Sequence, residues 1–91
     1  MRKSELIKAV ALKYDSSRDH APRVTAQGRG KVAERLVELA RREGIPVSEN
    51  SDLVEVLAQL DWYQEIPPPL YKAVAEILAF AYRLNRKVKE G

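Results

Sequence analysis

The sequence predicts an α/β fold: a small mixed β-sheet of about three strands covered by about three helices. Three observations carry that reading. Lys8–Asp15, K-A-V-A-L-K-Y-D, is short, β-favouring and apolar on both faces. Gly28 and Gly30 punctuate the passage from a β-branched run into a helical one. From Lys31 onward, three stretches repeat apolar residues at helical spacing. A chain of 91 residues is one domain, because a core this small does not divide into two stable ones. Residues 1–7 and 87–91 are expected to fray.

The first strand, Lys8 to Tyr14, places Val10, Leu12 and Tyr14 on one side and Ala9, Ala11 and Lys13 on the other, so it belongs inside a sheet. Asp15 to Pro22 is turn chemistry too short for a helical crossover, so Arg23–Gln27 should return antiparallel to it. Lys31–Glu43 is the clearest helix, with Val32, Leu36, Leu39 and Ala40 in register and Ala33 and Val37 widening the stripe. Gly44 ends it, with Arg41 and Arg42 favourably placed in its last turn. Ile45–Ser48 then reads as a third strand, and strand, helix, strand implies a right-handed crossover to a parallel neighbour.

Glu49 to Asp52 offers several N-caps for a second helix running to about Leu60, and Asp52 with Glu55 has capping-box spacing. Its inward residues are Leu53, Val56, Leu57 and Leu60, with Trp62 and Tyr63 as aromatic cover at its end. Gln64 to Pro69 is a rigid connector, since successive prolines precede or begin a helix but do not enter its interior. From Leu70 the last helix turns Leu70, Val74, Ile77, Leu78, Ala81 and Leu84 inward.

Composition narrows the function. With 45% hydrophobic and 32% charged residues the chain is globular, and its longest uncharged run is far below the ~20 residues of a membrane span. It contains no cysteine, which excludes disulfides and thiolate chemistry, and its one histidine leaves metal sites poorly supplied. The net charge of +3 permits nucleic-acid binding, but acidic and basic residues are interleaved. Only Arg83, Arg86, Lys87 and Lys89 cluster, where they complement the negative end of a helix.

Gly28-Arg29-Gly30-Lys31-Val32-Ala33 satisfies G-x-G-x-x-A between a strand and a helix, with Glu49 after the next predicted strand. That is the form of a dinucleotide fingerprint; the plainer reading is a tight strand-to-helix turn. It leaves a small nucleotide- or nucleic-acid-binding protein, using the Gly28-Arg29-Gly30 turn and a basic surface, as the alternative function. His20 beside Asp19 reads as a solvated loop residue before a general base, and helix-face carboxylates such as Glu38 beside Arg42 as surface ion pairs. Neither a nucleophile with its base nor an oxyanion hole is assembled, so the chain is expected not to be an enzyme and to need no cofactor.

Several separated segments together resemble one family. They are A-V-A-L-K-Y-D at Ala9–Asp15, A-P-R-V at Ala21–Val24, G-R-G at Gly28–Gly30 and G-I-P-V-S-E-N at Gly44–Asn50. Q-E-I-P at Gln64–Pro67 and L-Y-K-A-V-A-E-I-L-A-F at Leu70–Phe80 complete the set. In this order and spacing they resemble the C-terminal cytoplasmic domain of the FlhB/YscU family of type III export switch proteins, over roughly Lys8 to Arg86.

The resemblance implies a cytoplasmic α/β module that binds export-apparatus components or export substrates and takes part in switching substrate specificity. Family members cleave their own backbone at Asn-Pro-Thr-His just before the strand. The aligned positions here are Ser4, Glu5, Leu6 and Ile7, which supply neither the carboxamide that cyclises nor the imidazole, so the resemblance implies an intact chain. Because the chain opens at Met1 just before the strand, it is expected to be a free-standing paralogue of that domain. The family's shallow apolar recognition surface maps onto Ala21, Pro22, Ala75 and Leu78. On helical spacing alone, Ala75 and Leu78 read equally well as core, and Pro22 as a loop end.

Overall fold

The computed structural model describes residues 7–15 and 17–90, and the side chains of those up to 83. Strand β1 (Lys8–Lys13) and strand β2 (Arg23–Arg29) pair antiparallel, as the short connection requires. The turn between them is closed by carboxylates. Asp15 Oδ1 accepts the Ser17 amide at 3.0 Å and hydroxyl at 2.6 Å, while Asp19 Oδ2 accepts the Asp15 amide at 2.8 Å.

The register runs from Lys8 opposite Arg29 to Ala11 opposite Ala26, then Leu12 opposite Val24. Thr25 is therefore a bulge residue, its hydroxyl donating back to the Ala11 carbonyl at 3.3 Å. One extra residue reverses the side-chain phase of β2. Val24 and Gln27 thus both share the face of Leu12 and Val10, while Ala26 and Gly28 fall on the other.

Helix α1 (Lys31–Arg42) lies on the Ala26–Gly28 face and buries Ala33 completely. Its end is a Schellman turn: Gly44, at φ 73, donates to the Arg41 carbonyl and Ile45 to that of Ala40. Helix α2 (Ser51–Leu57) packs on the opposite face. Among the N-cap candidates Asn50 takes the role, its side chain accepting the Leu53 amide at 3.0 Å. Glu55 does not close a capping box and instead meets Lys8 Nζ at 2.7 Å. The helix tightens into i→i+3 bonds after Leu57, short of the expected Leu60. A 3-10 turn at Pro68–Leu70 leads into helix α3 (Tyr71–Glu90), so the prolines precede the helix, as predicted.

The fold is α/β as expected, with one strand fewer. Ile45–Ser48 forms no strand, and the parallel crossover predicted through it is not made among the described residues. Pro46, in the middle of that stretch, has no N–H to give a ladder. The sheet is extended elsewhere, at the outer edge of β2. Val24 donates to Gln64 at 3.1 Å and Tyr63 to Val24 at 2.6 Å, Ile66 donates to Pro22 at 2.8 Å, and Arg23 and Glu65 form an isolated bridge. The connector read as merely rigid is thus hydrogen-bonded to the sheet.

One core fills the α2 side: Val24, Leu53, Leu57, Ile66 and Val74 are buried, and Val10, Leu12, Leu60, Leu70, Ile77 and Leu78 pack against them. The predicted inward faces of β1, α2 and α3 meet there, except that Tyr14 lies past the end of β1 and is exposed, Val56 is exposed, and Leu84 lies beyond the described side chains.

Candidate functional site

A groove of about 230 Å³ opens between the β1–β2 turn and α3. The turn contributes His20, Ala21 and Pro22, held in place because Pro22 receives the Ile66 amide and Ala21 is only 2% exposed. Helix α3 contributes Tyr71, Val74, Ala75 and Leu78, whose spacing of i, i+3, i+4 and i+7 places them on one face. Val74 is buried, Leu78 is half-buried and Ala75 is exposed, so the α3 side of the groove passes from core to surface. Tyr14, just past the end of β1, lines it together with Tyr71, and both rings are exposed.

All four residues of the expected recognition surface, Ala21, Pro22, Ala75 and Leu78, therefore line a single groove. Tyr14, His20, Tyr71 and Val74 belong to it as well, although nothing in the sequence assigned them to this surface. For Tyr71 and Val74 the helical spacing to Ala75 and Leu78 was the available signal.

The groove is apolar, and its chemistry is that of contact. Among the described residues no three His, Asp or Glu side chains come together to hold a metal ion. Asp19 is engaged with the Asp15 amide, in the same turn that supplies His20. Asp15 itself is held below the ordinary aspartate range, first by the Ser17 hydroxyl and amide and then by Lys13.

The glycine motif has a different use from nucleotide binding. Gly28 lies inside β2, where a Cβ would press on the Val32 side chain and stand 3.3 Å from the Ala33 amide nitrogen. Gly30 caps α1 at φ 61, ψ −128, a conformation that favours glycine. Both glycines thus serve the close passage of strand into helix, and the parallel βαβ unit that gives the fingerprint its meaning is not formed among the described residues.

Of the cleavage-motif positions, Ser4, Glu5 and Leu6 lie outside the described residues. Ile7 is described, half-buried, its carbonyl accepting the Gly30 amide at 2.8 Å. Among the described residues no helix is long and apolar enough to cross a membrane.

Comparison with known proteins gives one consistent result. The family model described as "FlhB HrpN YscU SpaS Family" matches residues 8–81. The chain is 46% identical to YlqH of Bacillus subtilis, a match covering 90% of this chain and 88% of that protein. It is 42% identical to the flagellar biosynthetic protein FlhB of Aquifex aeolicus over 88% of this chain, and spans only 23% of that longer protein.

Among solved structures, the PscU C-terminal domain superposes with a TM-score of 0.76 at 31% identity, covering 80% of this chain and 94% of that one. A variant EscU C-terminal domain superposes at 0.78 and 27% identity, covering 81% and 90%. With the family model spanning most of the chain and the same α/β fold recurring in these C-terminal domains, the chain belongs to the FlhB HrpN YscU SpaS family.

Proposed function

We propose that this chain is a non-catalytic protein-interaction domain of the type III export system, acting in the cytoplasm and docking export-apparatus components or export substrates in the groove between the β1–β2 turn and α3. One observation supports this most: Ala21, Pro22, Ala75 and Leu78, drawn from two separate segments, line one apolar concavity with two tyrosines beside them. Exposed apolar concavities of this kind bind peptides by burying a few anchoring side chains. With serine and isoleucine at the ends of the aligned cleavage motif, the backbone stays whole.

The test is capture of purified export-gate and export-substrate proteins by the folded chain, compared with its Ala75→Asp and Leu78→Asp variants. Binding that is lost in both variants while each keeps a native melting transition supports the groove. Binding unaffected by either would remove it.

A further inference from the structure

Helix α1 leaves large aliphatic side chains uncovered. Ala33 is buried at 0% exposure and Leu36, Val37 and Ala40 are half-buried, while Val32 and Leu39 are left 57% and 51% exposed. The close approach at Gly28 is made by one edge of the Val32 side chain and by the Ala33 backbone, yet it leaves most of Val32, and Leu39 two turns on, in water. With half-buried Leu36 they line a surface depression of about 340 Å³, whose other lining residues are Arg35, Glu38 and Arg42. Glu38 is tied to Arg42 at 3.2 Å, so the rim carries an excess of positive charge. This face is on the opposite side of the sheet from the core that floors the groove, and it owes nothing to the groove's role.

We propose that the α1 face is a second docking surface, and that its occupant is an amphipathic helix of another protein with an apolar stripe flanked by carboxylates. The charge of the rim decides between occupants. A second copy paired antiparallel about a two-fold axis would set the same flank of each helix side by side, bringing the Arg35 and Arg42 rim against its own copy. Glutamates or aspartates flanking an apolar stripe meet that rim with opposite charge, while the partner's leucines cover Val32, Leu36 and Leu39. The twelve residues of α1 span about 18 Å, which calls for about three turns of partner helix. With the groove filled on one side and α1 on the other, one domain would bridge two proteins.

The probe is a synthetic amphipathic peptide of about four turns with leucines at i, i+3, i+4 and i+7 and glutamates on both flanks; its twin carries lysines instead. The glutamate peptide is expected to shift amide resonances across Val32–Arg42, to bind at least about tenfold more weakly to Leu39→Glu, and to weaken as salt is raised. The double variant Arg35→Glu, Arg42→Glu should exchange the preference and bind the lysine peptide instead. Both arginines are exposed, so the fold should survive, as a melting curve will check. Three results would each overturn the proposal: no binding of the glutamate peptide, equal binding of the lysine twin, or sedimentation as a dimer that Leu39→Glu dissolves.

Discussion

The backbone of Gly28 runs so close to Val32 that a methyl group at position 28 would stand 3.0 Å from the Val32 Cβ and nearer still to one of its methyls. In an ordinary strand, glycine is a weakness and alanine an improvement. Here Gly28→Ala is expected to destabilise by roughly 1–3 kcal/mol, because α1 must lift from the sheet. Urea denaturation reads the difference, and a midpoint at or above the parent's would show that α1 does not depend on that contact.

Tyr63 offers the opposite case. It adopts φ 66, its side chain is 66% exposed, and its amide is fixed by a 2.6 Å bond to the Val24 carbonyl. A left-handed residue that is not glycine carries roughly 1–2 kcal/mol of strain. Tyr63→Gly should recover about half of that, the rest being lost to the freer unfolded chain and to the edge contact with Trp62 at 6.3 Å. Thermal melting should show a rise, and the same site changed to isoleucine should show a fall.

Asn50 caps α2 by accepting the Leu53 amide. Asn50→Ala is expected to cost about 1 kcal/mol, whereas Asn50→Asp should leave stability nearly unchanged, because either side-chain oxygen satisfies that donor. Denaturant midpoints of the two variants test it directly.

Asp15 makes the β1–β2 turn sensitive to acid. Its carboxyl is held below the ordinary aspartate range by donation from Ser17, so the folded state binds its proton less readily than the unfolded one. That contribution is complete above the unfolded value and is lost as pH falls through the lower folded value. Ser17→Ala removes the largest cause and should raise the carboxyl's titration midpoint, read by NMR of the side-chain carbonyl. An unmoved midpoint would mean that the hydroxyl bond is not made in solution.

The groove reading bears on stability as well as binding. Ala75 is exposed, so Ala75→Asp should change stability by less than about 1 kcal/mol. Leu78 also packs on the core, so Leu78→Asp should cost roughly 1–3 kcal/mol and lower the melting temperature by about 5–20 °C while leaving the chain folded. A large loss of stability in Ala75→Asp would mean that the residue is core.

Much of this molecule was legible without coordinates, and all of that was local. The alternation of Val10 and Leu12 against Ala9 and Ala11, the stop at Gly44, an N-cap somewhere within Glu49–Asp52 and the entry of α3 after its prolines depend on neighbours a few residues away. Short-range sterics and side-chain period decide such features, so sequence spacing carries them. The ordered set of segments from Ala9 to Phe80 likewise sufficed to indicate the family.

Only the tertiary structure decided what depends on distant partners. It left Ile45–Ser48 unpaired and gave the edge of β2 to Gln64–Ile66, a choice between competing hydrogen-bond partners far apart in the chain. It placed a bulge at Thr25 that no local pattern announces, and it set α1 so that Ala33 is buried while Val32 and Leu39 of the predicted apolar stripe stay exposed. It also brought Ala21 and Pro22 against Ala75 and Leu78. Spacing fixes which face of an element is apolar; which other surface covers that face, or leaves it open, is set when the whole chain closes on one core.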